Sequence, residues 1–171
     1  YVEMQDEVPT GTIVINKDGE FLTDINLIKG HWYDFVFDYF KKSLAGVTFE
    51  VYAAEDIVSP DGLNTVYYAK DTLVAEIVTN DKGIASIENL PLGKYYLIET
   101  KTLEGFVLDI EPIMADLSYV DQHTEVVYAG MEVTNERQKV QVTVIKTDAE
   151  TKNTLEGAIF GLYAAEDIVN A

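Results

Sequence analysis

Short stretches in which apolar and polar residues alternate run along most of the chain, separated by turns that contain Gly or Pro. Alternation with a period of two places successive side chains on opposite faces of a β-strand. The clearest stretches are residues 12–17, 84–87, 94–99 and 125–134, and none keeps helical spacing over ten residues. The pattern therefore predicts an all-β protein, a sandwich or barrel of short strands.

A fifteen-residue segment occurs twice in the chain. LAGVTFEVYAAEDIV at residues 44–58 returns as LEGAIFGLYAAEDIV at residues 155–169, and each copy follows a strand that ends in lysine, Lys17 or Lys146. Repetition at such a distance indicates a duplicated module. The expected domains are a tail at residues 1–10, a complete module at 11–136, and a linker with the first strands of a second, truncated module at 137–171.

The first copy is longer than the second between its lysine and the repeated segment. From Lys17 to Leu44 there are 27 residues, against 9 from Lys146 to Leu155, so the first copy has 18 extra residues. The region 18–43 alternates strongly around a Lys-Gly pair, which predicts an additional β-hairpin. Two interpretations stay open, a hairpin that covers a sheet edge or a binding edge for a ligand. The residues of such a binding edge are Trp32, Tyr33 and Phe35.

Composition narrows the classes of partner. The chain has 30 Asp and Glu against 12 Lys and Arg, a formal net charge of −18. Nucleic acids and anionic membrane surfaces require clustered positive charge, so neither is an expected partner. No apolar run approaches the ~20 residues that span a bilayer, and membrane insertion is not expected. No acidic stretch has the spacing of a calcium loop, so no metal and no cofactor are predicted.

The chain contains no cysteine. Disulfides, thiolate metal sites and cysteine nucleophiles are therefore excluded. A β-sandwich that is mechanically robust outside the cell would need a different covalent lock.

Several motifs follow one another in a fixed order. They are Lys17 in the first strand, Leu-x-Gly-x-x-Phe-x-x-Tyr at 44–52, Leu-Pro-x-Gly-x-Tyr-x-x-x-Glu-Thr at 90–100, Glu-Gly-Phe at 104–106 and Val-Thr-Asn-Glu at 133–136. Their order resembles the collagen-adhesin B-type repeat, a Cna-B-like or Spa-type pilin domain of Gram-positive surface proteins. The resemblance covers about residues 11–136 and restarts at Val140. It implies an immunoglobulin-like (prealbumin-like) β-sandwich, here with an extra hairpin.

The resemblance also implies an isopeptide bond between Lys17 and Asn135, promoted by the acid Glu99. Burial in an apolar core lowers the pKa of a lysine, by up to about 3–5 units when burial is complete, and disfavours an ionised carboxyl group. The neutral acid would donate a hydrogen bond to the Asn135 carbonyl oxygen and carry protons between the amine and the departing ammonia. Alternation places each of the three beside an apolar residue on the same strand face. Lys146 is the matching lysine of the second copy, whose own partners would follow residue 171.

These observations predict a structural stalk or shaft module of a cell-wall-anchored Gram-positive adhesin or pilin, located outside the cell. Its expected partners are neighbouring repeat domains of the same chain, and its only expected reaction is a single self-crosslinking turnover, so it is not an enzyme. Two alternatives stay open. One is an adhesin domain that binds a host extracellular matrix protein or a glycan, and the other is an accessory domain of a surface enzyme.

Overall fold

A computed structural model describes residues 8–29 and 33–167, and these residues form strands and no helix. No helix in the described part could therefore cross a bilayer. The all-β prediction is confirmed. The described strands are β1 Thr10–Lys29, β2 Tyr33–Ser43, β3 Thr48–Ala53, β4 Ile57–Val58, β5 Val66–Tyr68, β6 Leu73–Val78, β7 Ile84–Leu90, β8 Gly93–Lys101, β9 Ile113–Leu117 and β10 Val126–Asn135.

Two four-stranded sheets build the sandwich. In the first, β1 pairs in parallel with β10 and antiparallel with both β7 and β2. The second sheet has the order β6-β3-β8-β9 and is antiparallel throughout. A small two-stranded sheet of β4 and β5 completes the described fold.

The core lies between the two sheets and contains the alternate residues of their strands. Ile13 and Ile15 of β1 are fully buried, as are Phe49 of β3 and Leu97 of β8. Burial of this apolar area is the main term that holds the sheets together, at about 25 cal/mol per Å². The same inward faces continue beyond the apolar residues to Lys17 on β1 and Glu99 on β8.

The inserted residues lengthen a hairpin. Strand β1 passes through Lys17 without a break, and its second half pairs with β2 from Asp18–Ser43 out to Lys29–Tyr33. The predicted strand end at Lys17 is therefore wrong, because β2 takes over from β7 as the neighbour of β1 at that point. The predicted extra hairpin is confirmed for its described residues.

The repeated segment near the end of the chain shows the same backbone contacts at its start. The Leu155 amide donates to the Lys146 carbonyl over 2.8 Å, just as the Leu44 amide donates to the Lys17 carbonyl over 2.9 Å. One residue further out, Thr147 pairs with Thr154, the counterpart of the Asp18–Ser43 pair. A tight turn joins Thr147 to Thr154, whereas β1 and β2 continue outward from Asp18 and Ser43.

The strand expected at residues 142–146 is not formed, and the described residues 138–167 hold only the isolated Thr147–Thr154 bridge. The side chains of Val140, Ile159 and Tyr163 are 93%, 96% and 87% exposed. Without a facing sheet in the described chain, these side chains have no apolar surface on which to pack, and strands are not stabilised. The assignment of residues 137–171 to a second module stays a prediction.

Candidate functional site

Three polar side chains from both sheets meet inside the core. Lys17 on β1, Asn135 at the end of β10 and Glu99 on β8 are each 1% exposed. Lysine and glutamate are almost never fully buried unless they are paired. Their burial therefore marks a specific cluster of ionisable and amide groups in a largely apolar interior.

The three side chains form a closed ring of contacts. Lys17 Nζ donates to Asn135 Oδ1 over 2.5 Å and lies 3.2 Å from Glu99 Oε2. Asn135 Nδ2 donates to Glu99 Oε1 over 2.6 Å. Residues that lie 118 and 36 positions apart along the chain are thus in direct contact.

The carboxyl group contacts the carboxamide differently from the sequence-based expectation. Glu99 contacts Asn135 Nδ2 and not its carbonyl oxygen, because Lys17 Nζ already occupies that oxygen. The two oxygens of Glu99 consequently face the two nitrogens of the cluster, one each. A single carboxyl group in this position can exchange protons with both nitrogens.

Thr102 is a fourth member of the cluster. Its Oγ1 accepts a hydrogen bond of 2.7 Å from Asn135 Nδ2, so two acceptors face that nitrogen. This arrangement turns the carbonyl oxygen of Asn135 towards the lysine. Thr102 was not among the predicted site residues, because it follows the end of β8 and no strand alternation applies to it.

The turn that contains Gly83 packs against the backbone of Lys17. The Lys17 amide donates to the Gly83 carbonyl over 2.7 Å, and Gly83 has a φ of +72°. A Cβ atom at Gly83 would lie 2.4 Å from the Lys17 carbonyl oxygen. Glycine is therefore required both for the backbone conformation and for the close approach.

Phe106 covers the first sheet next to Asn135. Gly19 of β1 pairs with Asn135, and a Cβ atom at Gly19 would lie 2.6 Å from the Phe106 ring. Backbone hydrogen bonds from Val107 to Glu136 and from Gln138 to Gly105, both 2.9 Å, hold the covering loop across the end of β10. The ring is 8% exposed and shields this side of the cluster from water.

A small open cavity of about 230 Å³ lies against Asn135. Residues 107–109 and 134–136 line it, and Asp109 is among them. The cavity is large enough for a molecule of the size of water or ammonia.

Burial lowers the pKa of Lys17, although the nearby Glu99 carboxylate acts in the opposite direction. The neutral amine is thus more accessible here than on an exposed lysine. The cluster combines a potential amine nucleophile, a proton carrier and a carboxamide whose nitrogen can leave as ammonia.

The other residues singled out by the sequence lie away from this cluster. Lys146 is exposed and belongs to no described strand. Trp32 lies outside the described residues, while Tyr33 and Phe35 belong to β2, where only their backbone is described. The binding edge assigned to these three residues stays a prediction.

Fold and cluster together define a prealbumin-like β-sandwich with a buried polar core site. Residues 38–132, more than half of the chain, match the family model described as the SpaA prealbumin-like fold domain. The chain belongs to this family, which confirms the resemblance seen in its motifs.

The chain is similar to several solved structures, most of them pilins by name. The minor pilin GBS52 of Streptococcus agalactiae matches with a TM-score of 0.50 and 19% identity, over 81% of this chain and 49% of that chain. The Bacillus anthracis TIE protein is 26% identical at a TM-score of 0.45, over 75% and 17%. The major pilin SpaA of Corynebacterium diphtheriae is 19% identical at a TM-score of 0.45, over 75% and 31%.

The chain spans half or less of the length of each of these three proteins. No curated protein matches it.

Proposed function

We propose that this chain is a structural stalk or shaft module of a Gram-positive surface protein, strengthened by an isopeptide bond between Lys17 and Asn135. The observation that carries the proposal is the closed ring of contacts among Lys17, Glu99 and Asn135, each of them 1% exposed. A surface cluster of the same residues would be solvated and unreactive.

The proposed reaction is an intramolecular transamidation. The neutral Lys17 amine attacks Cγ of Asn135, and one Nζ proton passes through the Glu99 carboxyl group to Nδ2. The Cγ–Nδ2 bond then breaks and ammonia leaves, so the products are one new amide and one ammonia. Glu99 contacts both nitrogens and returns to its starting state.

Folding supplies the rate acceleration for this step. The reacting groups are held at contact distance by strands of two packed sheets, and effective molarities in such arrangements reach about 10⁵–10⁸ M. The reaction occurs once per molecule. It modifies the protein itself and turns over no substrate.

The family to which the chain belongs supports the wider role. Several structurally similar proteins are pilins by name, which supports a location on the outer surface of a Gram-positive cell with attachment to the cell wall. The expected partners are neighbouring modules of the same chain. A second module from residue 137 onward, with Lys146 in the position of Lys17, is supported by the matching Leu155–Lys146 hydrogen bond.

The intact mass of the purified chain tests the bond. We expect a mass about 17 Da below the sequence value, the loss of one ammonia. Glu99→Ala should restore the sequence mass, whereas the matched control Glu132→Ala, at an exposed position on β10, should keep the loss. A folded wild-type chain with the full sequence mass would contradict the proposal.

A further inference from the structure

The residues that follow β10 are held on one side by the covering loop. Arg137 forms an antiparallel bridge with Phe106, flanked by the hydrogen bonds from Val107 to Glu136 and from Gln138 to Gly105. Residues 136–138 therefore continue as ordered backbone beyond the end of the sandwich strand.

The inserted hairpin holds the same residues on the other side. Glu20 Oε2 accepts a hydrogen bond of 3.2 Å from the Arg137 amide and lies 3.8 Å from Lys139 Nζ. Lys139 Nζ is also 5.3 Å from the centre of the Tyr39 ring. One carboxylate and one aromatic ring of the hairpin thus contact two basic residues of an otherwise strongly acidic chain.

Aromatic rings complete the contact. The Arg137 guanidinium lies 4.6 Å from the centre of the Phe106 ring and 5.8 Å from that of Phe21. Phe21 itself packs edge-on against Phe106, with ring centres 5.5 Å apart, and in a tilted arrangement against Phe40 at 6.0 Å. Cations positioned in this way over aromatic faces are attracted by the ring quadrupole.

Every hairpin residue in this contact belongs to the part that the second copy lacks. The short hairpin of the second copy ends in a turn directly after the Thr147–Thr154 bridge, the counterpart of Asp18–Ser43. Glu20, Phe21 and Tyr39 lie beyond that point. The extra length of the first hairpin is therefore what brings these groups to residues 136–139.

We propose that the part of the inserted hairpin around Glu20, Phe21 and Tyr39 is a docking surface for the inter-module linker 136–139, and that it fixes the direction in which the following module leaves. Only a few residues separate Asn135 from Val140, where the repeat restarts, so an ordered linker leaves little freedom to bend. The inference depends on the domain boundary proposed above and does not depend on the isopeptide bond.

Trypsin provides a direct test, because it cleaves after Arg and Lys, here after Arg137 and Lys139. The cleavage rate reports how often the linker detaches from the hairpin. One variant replaces residues 19–42 with residues 148–153, the short turn of the second copy. A second variant combines Glu20→Gln with Tyr39→Ala. We expect cleavage after Arg137 and Lys139 to become about tenfold faster in both variants.

Matched controls remove the same chemical groups elsewhere. Glu132→Gln and Tyr128→Ala lie at exposed positions on β10 and should leave these cleavage rates unchanged. Cleavage after Lys152 serves as an internal standard. Unchanged rates in the folded double variant would overturn the proposal, whether or not the turn replacement folds. The intact mass of the same samples reports the isopeptide bond separately, so failure of one proposal is distinguishable from failure of the other.

Discussion

Asn135 is the residue whose orientation decides what the buried cluster can do. Its nitrogen faces Glu99 and Thr102, and its oxygen faces Lys17. A carboxamide turned the other way would place two acceptor oxygens against each other and the lysine ammonium against an NH₂ group. Hydrogen bonding therefore selects the orientation in which the leaving nitrogen lies next to the proton-carrying carboxyl group.

Thr102 is a positioning residue in this scheme, and its replacement should slow bond formation. Thr102→Val keeps the shape of the side chain but removes the acceptor, which leaves a buried donor unsatisfied at a cost of about 1–3 kcal/mol. We expect bond formation to be roughly tenfold slower. Intact masses of samples quenched in acid at intervals after cell-free synthesis would measure the rate.

Thr102→Ser is the matched control, because it retains the hydroxyl group and should react nearly as fast as the wild type. A rate for Thr102→Val equal to that of the wild type would show that Glu99 alone orients the carboxamide.

The sequence predicted which residues meet but not how they contact one another. The family resemblance implied Lys17, Glu99 and Asn135, and strand alternation placed each on the same face as an apolar neighbour; the structure has all three buried. The role of Thr102 depends on the path of the chain after β8, and the contact of Glu99 with Nδ2 depends on competition for one oxygen. Neither is encoded in a local pattern of apolar and polar residues.

Strand β1 changes its antiparallel partner at Lys17. Before Lys17 it pairs with β7, and after Lys17 it pairs with β2. The backbone of Lys17 bonds at this junction to both Gly83 and Leu44. The backbone of Lys17 is therefore held from both sides at the point where β1 changes its partner.

Gly83→Ala should disturb this junction. The added Cβ would lie 2.4 Å from the Lys17 carbonyl oxygen, and the residue has a φ of +72°. We expect the free energy of unfolding to fall by about 1–3 kcal/mol. Urea denaturation would measure it in an Asn135→Ala background, where no isopeptide bond can form.

Gly62→Ala is a control that separates the clash of the added Cβ atom from the cost of a positive φ. Gly62 has a similar φ of +79°, but no atom lies within 4 Å of an added Cβ. Its substitution should cost only about 1 kcal/mol, the penalty for a left-handed conformation. Equal losses for the two variants would contradict a role for close packing against Lys17.

Pairing partners also explain which strands the sequence could predict. The two strands of the inserted hairpin, β1 and β2, pair with each other, so their alternation was sufficient to predict both. The strand expected at residues 142–146 has equally good alternation but no neighbouring strand among the described residues, and it does not form. Local pattern predicts strand propensity, while the sheet decides whether the strand exists.

At the scale of the whole molecule, the topology places the proposed bond on the shortest path between the two ends of the module. Strands β1 and β10 are parallel neighbours, with Thr10 opposite Val126 and Gly19 opposite Asn135. A force applied to the start of β1 and to the linker after β10 pulls these strands in opposite directions. Without a covalent link, only the hydrogen-bond ladder and the core resist.

Mechanical unfolding should therefore depend on the bond. With the proposed bond in place, the force would run along β1 to Lys17, across to Asn135 and out through the linker, so that the 118-residue loop would not be stretched. In Asn135→Ala the same pull should release that loop as a step of roughly 400 Å, at about 3.4–3.6 Å per residue. Single-molecule extension of both chains between flanking handles would measure the step. A bond between Lys17 and Asn135 would prevent this step at any pulling rate. If a wild-type chain that has lost one ammonia still shows a step of this length, the bond joins other residues.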